Sequence, residues 1–215
     1  VLALLSFIVD LKKDNVIFAM EEPEIALPPH TQRRIANYLL EDTSQCFVTS
    51  HSPYVIERFE PEGIVKLNRD DQGELSGVVV KLPAGMKAKN YRQNFRRAIA
   101  EAMLGRGVIV GEGITEQDAL LVVARKMEEH DADLFPLDVA GISVINADGD
   151  GNLEKLGDFF KEIGIPAFAF FDRKKRTDEE ITALQGTYTI ANEITQKGAE
   201  MLMADAHVAA FALSE

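Results

Sequence analysis

Short apolar blocks, each closed by charged or turn-forming residues, set the pattern of this chain. Residues Val1 to Leu11 read as an apolar helix already in progress. Val16-Ile17-Phe18-Ala19-Met20 then runs uninterrupted into Glu21-Glu22-Pro23-Glu24, as expected of a strand buried on both faces of a parallel sheet. After Pro28-Pro29, the stretch from His30 to Glu41 sets Ile35, Tyr38 and Leu39 on one helical face, and proline suits a helix start. Gln45 to Thr49 is a second short buried strand, closed by Ser50-His51-Ser52-Pro53. The expected order is helix, strand, helix, strand.

From Gly63 the pattern changes. Ile64 to Leu67 and Val78 to Leu82 are β-branched runs flanking Asn68 to Gly73, which predicts a hairpin. Pro83-Ala84-Gly85 breaks the chain, and the residues up to Arg106 are helical in composition with a dense basic face. Beyond Gly107, apolar strands at Val108 to Val110, Ile142 to Ile145 and Ala167 to Phe171 alternate with helices at Glu116 to Glu128 and Leu153 to Ile163. That alternation implies right-handed βαβ units in a parallel sheet flanked by helices, an α/β class. Three parts are expected: a segment 1–82, a basic helical connector 83–106, and a domain 107–215. The tail of that domain, from Thr187, is rich in Ala and Met and reads as helical.

Composition narrows the setting. A length of 215 residues suits one large domain or two smaller ones, and 46% hydrophobic with 27% charged residues excludes a disordered chain. No apolar run approaches the roughly 20 residues of a membrane-spanning helix, so no membrane partner is expected. One cysteine, Cys46, excludes an internal disulfide framework and a Cys-rich zinc site, and points to the cytoplasm. Starting at Val1, the sequence reads as part of a longer protein. Its net charge of -12 excludes a uniformly basic DNA-coating protein. Between Pro83 and Arg106, however, Lys87, Lys89, Arg92, Arg96, Arg97 and Arg106 face only Glu101, a local +5 with Tyr91 and Phe95 interleaved. Such a strip serves either as a phosphate-binding surface or as a solvated helix face.

Carboxylates recur at strand ends. Glu21 and Glu22 follow the first strand, where one acid can hold a magnesium ion and the next can polarise water, and His51 closes the neighbouring strand within reach of a phosphate. Glu112 stands between Gly111 and Gly113 after a later strand, with Thr115 as a candidate N-cap and Glu116 in the first helical turn. Glu116 suits either a metal or the helix dipole. Asp172 ends the strand Ala167 to Phe171, and the loop Asn146 to Asn152 brings Asp148 and Asp150 to the same sheet edge. That loop is not a calcium loop, because Leu153 and Phe159 occupy its sixth-position glycine and twelfth-position acid places.

The first constellation resembles the C-terminal half of an ABC-type ATPase head of the SMC-like and OLD-like branch. The resemblance places Glu21 at the Walker B acid, Glu22 at the catalytic glutamate and His51 at the switch histidine. No Gly-x-x-x-x-Gly-Lys-Ser/Thr occurs in the sequence, so ATP hydrolysis is not expected from this chain alone. The phosphate loop and signature are expected upstream, and Leu75-Ser76-Gly77 is a hairpin turn rather than that signature.

The second and third constellations resemble a Toprim domain, and the order ATPase head then Toprim resembles the OLD (overcoming lysogenisation defect) family of ATP-dependent endonucleases. What the resemblance implies is DNA phosphodiester hydrolysis with Mg2+ or Mn2+ held by Glu112, Glu116 and Asp172, with Asp148 and Asp150 in reserve, in phage defence or DNA repair. It also implies ATP as a cofactor of the complete protein and a homo-oligomer. Lys174 stands where the second acid of the Toprim Asp-x-Asp pair is expected, so either a metal ligand is lost or Lys174 binds phosphate beside the catalytic Glu112 and Asp172. Lys87, Lys89, Arg92, Arg96 and Arg97 would contact DNA. The alternative is a catalytically weakened Toprim protein acting as an SMC-like, ATP-driven DNA-binding or assembly module.

Overall fold

The computed structural model describes residues 17–131, 136–172 and 176–194. The helix expected at Val1 to Leu11, Lys174, and the tail beyond residue 194 lie outside the described residues. The chain divides into two compact units, one of residues 1–80 with 95–104 and the other of residues 81–94 with 105–215. The expected connector 83–106 is therefore shared between them.

In the first unit, β1 (Ile17–Glu21) pairs in parallel with β2 (Gln45–Thr49), in register from Ile17 opposite Gln45 to Glu21 opposite Thr49. Helix α1 (Pro29–Asp42) begins at a proline, whose missing N–H would have had no helical partner. Its Ile35 and Leu39 are buried against Phe18, Leu27, Cys46 and Val48. Tyr38 is only half-buried, and its hydroxyl accepts from Arg34 Nη2 at 2.9 Å. The two-sided burial expected of the first strand, and the burial expected of the second, are not met. Alternate residues are exposed, with Ile17 and Phe47 on the open face, because α1 covers one side of this two-stranded sheet.

After α2 (Pro53–Ile56), β3 (Val65–Arg69) and β4 (Leu75–Val79) form an antiparallel hairpin as expected, but the second strand starts earlier, so that Leu75-Ser76-Gly77 pairs with Arg69-Asn68-Leu67 and is strand rather than turn. Asp70 Oδ1 accepts from the backbone N–H groups of Gln72 and Glu74 in its turn. The basic stretch is helical, passing from Ala88–Asn90 through a π turn at Tyr91–Phe95 into α3 (Arg96–Ala102).

In the second unit, β5 (Gly107–Gly111), α4 (Ile114–His130), β6 (Ile142–Asn146), α5 (Asp150–Glu162) and β7 (Ala167–Asp172) follow the expected alternation. Two further elements continue it, α6 (Asp178–Thr187) and β8 (Ile190–Ile194). The reading of the chain after Thr187 as helical is thus corrected for residues 190–194. Thr189 N donates to Ala167 O at 2.7 Å, which starts a parallel register of Ile190 on Phe168 through Ile194 on Asp172, and buries Ala191 and Ile194. The sheet is wholly parallel in the order β6-β5-β7-β8. Its chain path leaves β5 for β6 on one side and returns to β7 on the other. Ligand crevices of open α/β sheets form beyond the carboxyl ends at such a reversal.

Candidate functional site

In the first unit, β1 and β2 end side by side, and Glu22 N extends their ladder by donating to Thr49 O at 3.0 Å. Glu22 then takes φ 44°, a left-handed conformation that costs a non-glycine residue about 1–2 kcal/mol. That turn separates the three acids. Glu21 is exposed, Glu22 half-buried and Glu24 buried. Glu24 Oε1 accepts from the Ser50 hydroxyl at 2.6 Å and from His51 N at 2.9 Å. Glu22 Oε2 accepts from His51 N at 3.3 Å, and the exposed His51 ring places Nε2 3.5 Å from Glu22 Oε1.

The structure thus brings Glu22 and His51 together and leaves Glu21 exposed. It also shows an anchor for which sequence reasoning had no role, Glu24, although it stands inside the quoted Glu-Glu-Pro-Glu motif. Gln32 completes the arrangement, accepting from the Ser52 hydroxyl at 2.5 Å and donating to Leu27 O at 2.7 Å.

Burial raises the Glu22 carboxyl above the usual glutamate value, the neighbouring Glu24 adds to the rise, and His51 opposes it. A raised folded pKa means that the folded state holds this proton more tightly than the unfolded chain does. Its contribution to stability is therefore full at low pH and is lost as pH rises through the folded value. Glu22→Gln is expected to gain in melting temperature relative to wild type on going from about pH 4 to pH 7. Parallel melting curves of the two proteins over that range would contradict this.

In the second unit, β5 and β7 are adjacent, with Gly111 opposite Phe170, so Glu112 and Asp172 leave neighbouring strand ends. Glu112 is 3% and Asp172 6% exposed. Gly111 is required by close approach. A Cβ there would stand 3.0 Å from Glu116 Cβ and 3.2 Å from Gln117 N, because the start of α4 folds directly over the strand end. The expected N-cap at Thr115 is corrected: α4 begins at Ile114, and Gly113 N donates to Glu116 Oε2 at 3.0 Å. Glu116 is buried and turned back on its own helix start, which is the dipole-and-capping alternative.

Asp148 and Asp150 are exposed, with Asp148 at φ 52° accepting from Asn94 Nδ2 at 3.2 Å. Asp150 opens α5 rather than preceding it. Among the described residues, no group of three Asp, Glu, His or Cys side chains is placed to hold one metal ion.

The oxygen donors suit a hard divalent cation in kind, but in this arrangement they do not converge on one. A cation of another sort lies among them. Arg176 places Nη1 3.5 Å from Glu112 Oε2 and Nη2 2.9 Å from Asp150 Oδ1, and donates to Asp172 O at 2.5 Å. Sequence reasoning passed over Arg176. The only signal for it was the end of the basic run that follows Asp172.

Of the basic strip, Lys87, Lys89, Arg92 and Arg97 are exposed. Arg96 is engaged within the first unit, donating to Arg58 O at 3.1 Å and Phe59 O at 2.9 Å and pairing with Glu60 at 3.2 Å. Arg97 lies over the Tyr54 ring at 5.0 Å.

Comparison with known families matches residues 103–173 to the model described as "Overcoming lysogenization defect protein-like, TOPRIM domain". Residues 1–57 match the model described as "AAA domain, putative AbiEii toxin, Type IV TA system". No curated protein matches the chain.

Proposed function

Because the chain joins an AAA-type ATPase segment to an OLD-like TOPRIM domain, which is the architecture of the OLD family, we propose that it serves as an ATP-linked DNA-binding module with weakened Toprim chemistry. The observation that carries this reading is the state of the carboxyl edge. Glu112, Glu116 and Asp172 are all buried there, yet Glu116 caps its own helix and Glu112 faces a guanidinium. Contact with DNA rests on Lys87, Lys89 and Arg92, which are exposed and lie on one unit. Arg96 drops out of that surface because its guanidinium is held by Arg58, Phe59 and Glu60.

Phosphate contacts release counterions, so each one adds about 0.9 to the slope of log affinity against log salt. Substituting Lys87, Lys89 and Arg92 together by alanine is expected to flatten that slope by about 2 to 3 on duplex DNA. A slope equal to wild type would return the strip to a solvated helix face.

The second reading, an ATP-gated endonuclease with Mg2+ or Mn2+, is favoured by the TOPRIM match itself. A nicking assay on supercoiled plasmid separates the two. The module reading expects no metal-dependent cleavage. Cleavage that is lost in Glu112→Ala and Asp172→Ala would establish the nuclease.

A further inference from the structure

We infer that Arg176 is the resident cation of the carboxylate cluster beyond β5 and β7, and that a divalent ion competes with its guanidinium for the same oxygens. This rests on reading that sheet edge as the Toprim carboxylate site. One planar group meets three partners from three elements: the Glu112 carboxylate after β5, the Asp150 carboxylate at the start of α5, and the Asp172 carbonyl at the end of β7. A guanidinium offers five N–H donors in a fixed fork, which suits such a set better than a lysine point charge does.

The placement is built rather than incidental. The Arg176 side chain is 13% exposed and that of Glu112 4%, so their charges meet with little water between them. The guanidinium carbon lies over the Phe171 ring, 5.2 Å from its centroid. The next residue, Thr177, caps α6 by accepting from Glu180 N, while Thr177 N donates to Glu180 Oε2. The backbone on the far side of Arg176 is thus anchored by a capping box, and its side chain is directed back over the strand end.

Competition follows from charge and geometry together. Removing one positive partner from a buried carboxylate raises its demand for another cation. Mg2+ and Mn2+ demand oxygen ligands at about 2.1 Å in near-octahedral array. A divalent ion on Glu112 Oε2 would stand close to the guanidinium, and two cations at one oxygen each weaken the other's hold.

The test is Mn2+ titrated into the full chain, read by calorimetry and by the paramagnetic signal of free Mn2+. Arg176→Gln is expected to bind Mn2+ about tenfold or more tightly than wild type, and to gain more in melting temperature from it. Arg176→Lys keeps the charge but not the fork, and is expected to fall between wild type and Arg176→Gln. Adding Glu112→Gln to Arg176→Gln is expected to abolish the gain.

Equal Mn2+ affinity in wild type and Arg176→Gln would overturn the inference, as would Arg176→Lys binding as tightly as Arg176→Gln. Should Arg176→Gln fail to fold without metal, Phe171→Leu loosens the guanidinium without touching a carboxylate. It is expected to raise Mn2+ affinity, and an unchanged affinity would again overturn the inference. The salt slope on DNA is read in the same proteins. A Mn2+ gain without DNA binding rejects the proposed function alone, and DNA binding without a Mn2+ gain rejects this inference alone.

Discussion

Gly157→Val is expected to destabilise the second unit by about 3 kcal/mol or more. Gly157 is buried in α5, where a Cβ would stand 2.5 Å from Thr187 Oγ1 and 2.7 Å and 2.9 Å from two carbons of the Tyr188 ring. Neither neighbour is free to retreat. Thr187 Oγ1 donates to Leu184 O at 2.8 Å, and the Tyr188 hydroxyl donates to Leu153 O at 2.5 Å within α5 itself. Burial pushes the Tyr188 phenol up, so it remains a neutral donor throughout the usual pH range.

Replacing a helical glycine gains at most about 1 kcal/mol of helix propensity, and less for a β-branched residue. Overpacking of a filled site costs typically about 1–3 kcal/mol and sometimes more, so steric conflict dominates. Urea unfolding followed by circular dichroism measures the loss. The double variant with Tyr188→Leu is expected to recover part of it, because the flexible side chain yields where the bonded ring does not. An unchanged midpoint for Gly157→Val would mean that α5 and the end of α6 do not pack as described.

Glu24→Ala is expected to release the loop that carries His51. Glu24 is buried, and its one oxygen Oε1 holds both the Ser50 hydroxyl and the His51 amide. A hydrogen bond to a charged group contributes about 1.5–3 kcal/mol, and two of them end on Glu24, whereas the remaining contact of His51 N to Glu22 Oε2 is longer, at 3.3 Å. Hydrogen exchange of the His51 amide is expected to accelerate by about 100-fold, the equivalent of roughly 3 kcal/mol of local stability. Glu24→Gln keeps the acceptor oxygen and is expected to exchange far more slowly than Glu24→Ala. Equal exchange in all three proteins would show that the contact does not order the loop.

Local pattern carried most of the architecture. The alternation of apolar strands and amphipathic helices from Val108 onward predicted the βαβ order because a buried parallel strand must be continuously apolar and its crossover helix must have one apolar face. The hairpin around Asn68 to Gly73 was legible for a similar reason, turn chemistry between β-branched runs. β8 was not legible. Its residues Ile190 to Ile194 include Asn192 and Glu193, and the segment becomes a strand through pairing with β7, which lies about 20 residues earlier in the chain. The two-sided burial expected of β1 failed because an apolar run predicts that a strand is hydrophobic, not how many layers cover it.

The same division holds at the sites. Strand-end acids at Glu22, Glu112 and Asp172 were found from the sequence, because a carboxylate that closes an apolar strand has few packing roles. Partners were a matter of tertiary structure. Glu116 chose its own helix start over its neighbours across the loop, Glu24 bonded Ser50 26 residues away, and Arg176 reached back across the sheet edge to Glu112. Sequence alone determined which residues carry charge to the carboxyl edges and the class of fold that gathers them. Which cation neutralises those charges was decided only by the tertiary structure, because electrostatic energy depends on distance and burial, and neither is a property of position along the chain.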